Sequence, residues 1–292
     1  MDDPALDPQQ PLLLSSYRLL HLQGEDAARF FQGYGTCDTR ALDGTQARLG
    51  ALCNRQGQAI ANFLCWGTQS ALTLRLHNTL QDAVERLLSP YLRLARSTLT
   101  PGLERGLALP PSLGTRAPTL PPGSQHSAAS DLTWIQPPRG DLELWGPDRA
   151  VRAWCEREGL TPASEQAWEA RNLAQGHLYL RAEHSAQDVP QGFNLDQLGY
   201  IDFKKGCYLG QEIVARLHYR GEPKRRLYVA RGGQAANPGD AVLDQTDQAM
   251  GAVLASARGP GDTYLALQLS PKRLERAQLP LKTAAGALHL LP

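Results

Sequence analysis

From residue 17 to residue 22 apolar and polar side chains alternate, the two-residue period of a strand with one buried face. The period then changes. Between Glu25 and Gln32 the side chains of Ala27, Phe30 and Phe31 fall on one face of a helix, which Gly33-Tyr34-Gly35 ends. Strand-like runs return at Ala47–Cys53, Ala59–Trp66 and Ala71–His77. The first two are joined by Asn54-Arg55-Gln56-Gly57, which reads as a hairpin turn. Asn78 then stands as the N-cap of a helix carrying Leu80, Val84, Leu87, Leu88 and Leu92 at helical spacing through Leu94. Strand, hairpin and helix in this order predict an antiparallel sheet with helices on one face.

The pattern lapses between Pro110 and Ser130, where Pro110, Pro111, Pro118, Pro121 and Pro122 alternate with Gly and Ser, an exposed loop or linker. Leu132–Ile135 and Leu142–Trp145 read as strands. Asp148–Glu158 and Ser164–Gln175 read as helices, with Ser164 as N-cap, Gly176 just past the end, and Trp154 and Trp168 on apolar, core-facing sides. Pro190 and Gly192 interrupt regular structure, and Gly221-Glu222-Pro223 breaks the chain again. Beyond it, Arg226–Arg231, Ala241–Leu243, Ala249–Ser256, Tyr264–Leu269 and Leu281–Leu290 form short strands. Turns such as Asn237-Pro238-Gly239-Asp240 and Gly259-Pro260-Gly261-Asp262 separate them, which suggests a small β-barrel. The fold class is α+β: two α/β-type domains of antiparallel sheets with helices, at 1–110 and 132–221, and a C-terminal β-barrel at 222–292. A Pro/Gly/Ser-rich loop at 111–131 divides the first two domains, and residues 1–11 form a frayed tail.

With 292 residues, 42% of them hydrophobic, the chain can build a substantial core. A net charge of +1 gives the molecule no overall field toward nucleic acid or membrane. Charge is uneven, however: between Lys204 and Arg226 seven Lys or Arg meet two Glu, a local +5. This is either a solvated basic face or a site for an anion such as a polyglutamate tail, a phosphate or RNA. Cys37, Cys53, Cys65, Cys155 and Cys207 are odd in number, include no C-x-x-C and show no zinc-ligand spacing. They read as reduced thiols of a cytoplasmic protein, with no metal site. The acidic start (Asp2, Asp3, Asp7) is no signal or transit peptide, and no apolar run is long enough for a membrane span.

The densest chemistry lies in Lys204-Lys205-Gly206-Cys207-Tyr208-Leu209-Gly210-Gln211-Glu212. Two glycines form a turn that feeds a helix continuing through Leu217. The N-terminus of that helix, with surface lysines Lys204 and Lys205 beside it, favours a thiolate. Gly206 is expected in a backbone conformation costly for a residue with a Cβ. Gln211 and Glu212, about one turn on, can orient a ligand or the lysine. The alternative is a buried structural cysteine in a glycine-containing turn. His218 lies eleven residues after Cys207; in one continuous helix that is about 16 Å, too far for a dyad. Asp38, just after a helix, reads as a turn or cap residue. There is no P-loop, G-x-G-x-x-G or H-E-x-x-H.

The run Lys205-Gly206-Cys207-Tyr208-Leu209-Gly210-Gln211-Glu212 resembles the K-G-C-Y-x-G-Q-E signature of YgfZ-type proteins. Asn194-Leu195-Asp196 with Leu198-Gly199, the helix segment Gly24–Gly33, and Gly50-Ala51-Leu52-Cys53-Asn54 with Gly57 extend the resemblance over most of the chain. That family is described as folate-binding, acts in iron–sulfur cluster assembly or repair, and is related in fold to the aminomethyltransferase (T protein) of glycine cleavage. The resemblance implies a ring of domains around a central cavity holding tetrahydrofolate or a derivative, bordered by the Asp38 segment. Cys207 and Lys205 would be the functional pair and Gly206, Tyr208, Gly210, Gln211, Glu212 and Asn194 the folate-binding residues. Tyr208, Phe193 and Tyr34 would lie near the pterin. The implied partners are folate and iron–sulfur enzymes, including tRNA-modifying ones, with RNA as a further partner and no membrane. One thiol cannot hold a four-ligand cluster alone, so Cys207 is a transient ligand or a nucleophile toward folate-borne carbon. T proteins hold the pterin through a glutamate in an R-x-E-A-G-like helix end. The nearest segment here, Arg171-Asn172-Leu173-Ala174-Gln175-Gly176, has no carboxylate. That speaks against the alternative of a folate-dependent aminomethyl transferase. A non-catalytic docking module for cluster enzymes or RNA is the further alternative.

Overall fold

The computed structural model describes residues 10–113, 117–127, 131–259 and 261–291. Of the expected N-terminal tail all but residues 10 and 11 lie outside them, as does Pro260 of the second barrel turn. In chain order the elements begin β1 (Leu12–Leu13), β2 (Tyr17–Gly24), α1 (Ala27–Gln32), β3 (Ala47–Cys53), β4 (Ala59–Gly67), β5 (Ala71–His77), α2 (Gln81–Leu92), β6 (Ser97–Pro101) and β7 (Arg105–Leu109). There follow β8 (Ser124–Ser127), β9 (Thr133–Gln136), β10 (Leu142–Gly146), α3 (Asp148–Glu158), α4 (Gln166–Ala174) and α5 (Gln211–Arg220). The C-terminal part adds β11 (Arg226–Gly232), β12 (Ala241–Leu243), β13 (Ala249–Arg258), β14 (Thr263–Leu269), α6 (Pro271–Leu274), β15 (Leu281–Thr283) and β16 (Gly286–Leu290).

These strands make two five-stranded antiparallel sheets, ordered β3-β4-β5-β2-β6 and β1-β7-β10-β9-β8, and a closed barrel, β11-β14-β13-β12-β15-β16. The fold is α+β as the sequence pattern indicates. Membership of the sheets crosses the expected boundary at residue 110: Leu12 and Leu13 pair with Ala108 and Leu107, so β1 and β7 both belong to the second sheet. The Pro-rich stretch contributes β8, an edge strand paired with β9.

The largest core joins the inward faces of β2, β3, β4 and β5 to α1, α2 and α4, and reaches the outer wall of the barrel at Leu227, Ala255, Ala257 and Ala266. A second fills the barrel around Val242, Leu265, Leu267 and Leu281, and a third packs α3 on the second sheet through Val151, Trp154 and Trp134. Across the junction of the two sheets runs a buried ion pair, Arg75 Nη2 to Glu143 Oε1 at 2.7 Å. Arg75 also donates to the Tyr179 hydroxyl, and Trp145 Nε1 donates to the second carboxylate oxygen. Asn78 does not cap α2. His77 Nδ1 accepts the Thr79 N–H instead, because the chain passes through a 3-10 turn (Asn78–Leu80) before the α-helix begins. Ser164 is likewise not a cap: α4 starts after Glu165, whose carboxylate is taken by Ser15 Oγ and the Ser16 N–H.

Candidate functional site

The segment carrying Cys207 crosses from the end of α1 to the β3–β4 hairpin and is fixed on both sides. Upstream, the Asp202 N–H donates to the Thr36 carbonyl at 2.9 Å. Lys205 turns inward: its Nζ donates to the carbonyls of Gln32, at 2.6 Å, and Gly35. A cation placed on unpaired carbonyls at the C-terminal end of α1 answers the negative end of the helix dipole. Lys205 is therefore 5% exposed, and its Nζ also lies 5.3 Å from the centre of the Tyr208 ring. The expectation of a surface lysine beside the thiol is corrected. The carbonyls that recruit it lie some 170 residues away in sequence, where local pattern cannot show them. Burial pushes its pKa down to about 8, against the opposing pull of Cys37, Asp38 and Asp202.

Downstream, the Leu209 N–H donates to the Gly33 carbonyl at 3.0 Å, and Gln211 Oε1 accepts the Tyr208 N–H at 3.3 Å. Gly210 is the N-cap of α5, in the left-handed region with φ 82°. A Cβ on it would stand 2.4 Å from the Asn54 carbonyl oxygen and 3.0 Å from the Gly57 Cα. Two glycines in contact thus let the first turn of α5 lie on the hairpin. Gly206, by contrast, has open space around its Cα and no positive φ, so the strained glycine of the motif is Gly210. The helix docks through Val214, which packs with Cys53, Ile201 and Phe203, and Gln191 Nε2 donates to the Val214 carbonyl.

Between these anchors Cys207 is exposed, whereas Cys37, Cys53, Cys65 and Cys155 are buried. Burial pushes the Cys37 thiol up to about 11 and Cys53 up to about 12. Glu212 is exposed in the first turn of α5, and His218, further along, stacks on Phe203 at 3.6 Å between ring centres. Asp38 pairs with Arg40 and accepts its N–H, and that guanidinium holds its carboxyl down to about 2.

Neither the small cavity nor the groove described below is lined by the other residues expected to hold folate or to lie near its pterin. Asn194, left-handed at φ 56°, donates through Nδ2 to the Leu227 carbonyl at 2.7 Å and accepts from Arg226, so both ends of its amide tie the connector to β11. Phe193 contacts His184, Tyr34 contacts Phe30 and Tyr91, and Tyr208 is buried with its hydroxyl unpartnered. Burial raises the Tyr208 pKa. The cavity beside the helix end that holds Asn172 is lined by Tyr17, His177, Tyr179 and Ala257 and measures about 20 Å³. That is room for about one water, so a pterin does not fit it. Trp168 stacks on Tyr179 at its wall, and Asn172 Nδ2 donates to the Trp168 carbonyl. Among the described residues no group of three His, Cys, Asp or Glu could hold a metal ion, and no helix is long and apolar enough to cross a membrane.

Sequence reasoning missed a wide groove of about 1540 Å³ between α5 and the barrel, lined by Arg216, Arg220, Lys224, Lys272 and Arg276 among others. Half of it was signalled by the charge run before Arg226. The rest comes from the α6 segment, which only the barrel brings alongside.

Two sheets and a closed barrel in this arrangement define a fold class with a solved counterpart. The chain superimposes on the crystal structure of glycine cleavage system aminomethyltransferase T from Bartonella henselae with a TM-score of 0.74, covering 97% of this chain and 85% of that one. At 14% identity the likeness is one of fold. No protein-family model matches the chain. Curated homologues of the chain include proteins named tRNA-modifying protein YgfZ. It is 28% identical to the one from Sodalis glossinidius, over 84% of this chain and 77% of that protein. It is also 28% identical to the one from Pectobacterium carotovorum, over 84% and 78%, and 26% identical to the one from Escherichia fergusonii, over 79% and 74%. The YgfZ-type resemblance of the chain is thereby borne out.

Proposed function

We propose that this protein acts in tRNA modification by maintaining iron–sulfur clusters in the enzymes that carry it out, with Cys207 as the functional thiol. The observation that carries the reading is the presentation of Cys207. It is the exposed thiol among five cysteines, on a segment bolted to α1 by Lys205 and Leu209 and to the β3–β4 hairpin by Gly210. Rigid backbone on both sides of a solvent-facing sulfur suits a ligand offered to an iron of another protein, because little conformational freedom is lost on contact. The absence of further metal-ligating groups nearby, among the described residues, fits a transient ligand rather than a resident cluster. The cluster is cargo here, and the partner supplies its remaining ligands.

Lys205 is a positioning residue in this account, since its ammonium is spent on carbonyls. Tetrahydrofolate enters through the family resemblance, and the small cavity beside Asn172 does not admit its pterin. Aminomethyl transfer is disfavoured because the segment Arg171-Asn172-Leu173-Ala174-Gln175-Gly176 at the end of α4 has no carboxylate. The proposed location is the cytoplasm, where tRNA is modified and thiols stay reduced.

The test is complementation of cells lacking this protein with wild-type, Cys207→Ser and Cys155→Ala chains, reading cluster-dependent modified nucleosides in tRNA. The expected result is restoration by wild type and Cys155→Ala and failure of Cys207→Ser at equal protein level. Full restoration by Cys207→Ser contradicts the proposal.

A further inference from the structure

Eight Lys or Arg and three acids line the groove between α5 and the barrel, a net +5 in one concavity of about 1540 Å³. Two of the cations are neutralised locally: Arg225 pairs with Asp188 and Arg226 with Asp196. Arg273 donates to the Ala249 carbonyl. The other five, Arg216, Arg220, Lys224, Lys272 and Arg276, are exposed and make no ion pair among the described residues. Glu222 and Glu275, the lining acids outside these ion pairs, offset part of this charge, and the excess of cations that remains in one cleft is a cost to stability through repulsion. Their arrangement is ordered. Arg216 and Arg220 stand one helical turn apart on α5, about 6 Å along its axis, and Lys272 and Arg276 face them from the α6 segment.

We propose that this groove binds the phosphodiester backbone of RNA. Unpaired arginines and lysines in a concavity release condensed counterions when a phosphate chain enters, the main source of sequence-independent affinity for nucleic acid. A flat lipid surface would not reach the floor of a concave site. An acidic peptide is the chemical competitor, and the groove lacks the exposed aromatic anchors that typically dominate protein interfaces. The proposal rests on the groove and is independent of Cys207, so either can fail without the other.

The test is fluorescence anisotropy of a fluorescein-labelled RNA hairpin titrated with the full chain at several salt concentrations. Five phosphate contacts predict log K falling with log salt at a slope of about −3.5 to −4.5. The pairs Arg216→Gln/Arg220→Gln and Lys272→Gln/Arg276→Gln are each expected to shallow the slope by about 1.4 to 1.8. At about 0.1 M salt each should weaken binding some 25- to 60-fold. Arg86→Gln on α2 should change neither, and thermal melts should show every variant at least as stable as wild type. Absence of binding at about 50 mM salt, equal loss in Arg86→Gln, or displacement of the RNA by polyglutamate of equal charge would each overturn the assignment.

Discussion

Gly210→Ala should loosen the Cys207 segment at a cost that follows from two features of the structure. The first is conformation: at φ 82° an alanine sits in the left-handed region, a penalty of about 1–2 kcal/mol. The second is space. The new Cβ would lie 2.4 Å from the Asn54 carbonyl oxygen and 3.0 Å from the Gly57 Cα. Both are backbone atoms of a hydrogen-bonded turn, so the neighbours cannot rotate aside, and overpacking of this kind costs about 1–3 kcal/mol. Against these stands the gain of about 0.4–1 kcal/mol from a stiffer unfolded chain. The net loss is about 1–4.6 kcal/mol. Gly206→Ala, four residues earlier, meets nothing within 4 Å and needs no positive φ; its effect should stay within about 0.5 kcal/mol. Urea unfolding of the two variants and wild type, with slopes compared so that midpoints report stability, separates them. The same samples should show the Cys207 thiol reacting with an aromatic disulfide at a wild-type rate in Gly206→Ala and at an altered rate in Gly210→Ala. If the two variants unfold at the same urea concentration, the glycine contact does not hold the segment and the account of its rigidity fails.

Other consequences are equally open to measurement. Lys205 has a folded pKa of about 8 against 10.5 for a free lysine. Between these values the unfolded chain holds the proton that the native chain has released, so the native state gains stability as pH rises through that window. The stability of wild type relative to Lys205→Met should therefore increase from pH 7.5 to pH 10, by at most about 3 kcal/mol, in urea midpoints; an unchanged difference would remove the buried ammonium from the account. Intact mass after alkylation of the native protein should show one label, on Cys207; additional rapid labels on Cys37, Cys53 or Cys65 would contradict their burial. Arg75→Met leaves the Glu143 carboxylate buried without its partner and should lower stability by about 3–5 kcal/mol, with partial recovery in Arg75→Met/Glu143→Gln; a single variant as stable as wild type would show that the ion pair does not brace the two sheets.

The elements with strong local signals were legible in the chain. Asn54–Gly57 gave the hairpin, the Leu80–Leu92 spacing gave α2, and turns such as Asn237–Asp240 gave the barrel. What stayed hidden was set by partners remote in sequence. Leu12 pairs with Ala108, so no reading of the first residues could assign β1 to the second sheet. Arg75 interrupts an apolar strand, a visible anomaly, yet its partner Glu143 lies 68 positions on. The motif around Cys207 was found from its residues, but the direction of Lys205 was not. A lysine beside a thiol reads as a flanking charge until the open end of α1 is brought beneath it. The same holds for the groove, whose basic run before Arg226 is only one of its walls.

The central claim is that Cys207 serves clusters held by other proteins, and the most direct measurement uses purified components. A tRNA-modifying enzyme whose iron–sulfur cluster has been damaged by a pulse of oxidant is supplied with iron, sulfide and reductant, and its recovery of activity is followed with wild-type chain, with Cys207→Ser, or with neither. The account predicts faster or fuller recovery with wild type and recovery with Cys207→Ser no better than without the protein. Equal recovery with wild type and Cys207→Ser, both above the unassisted level, would contradict it, because the protein would then act without the thiol.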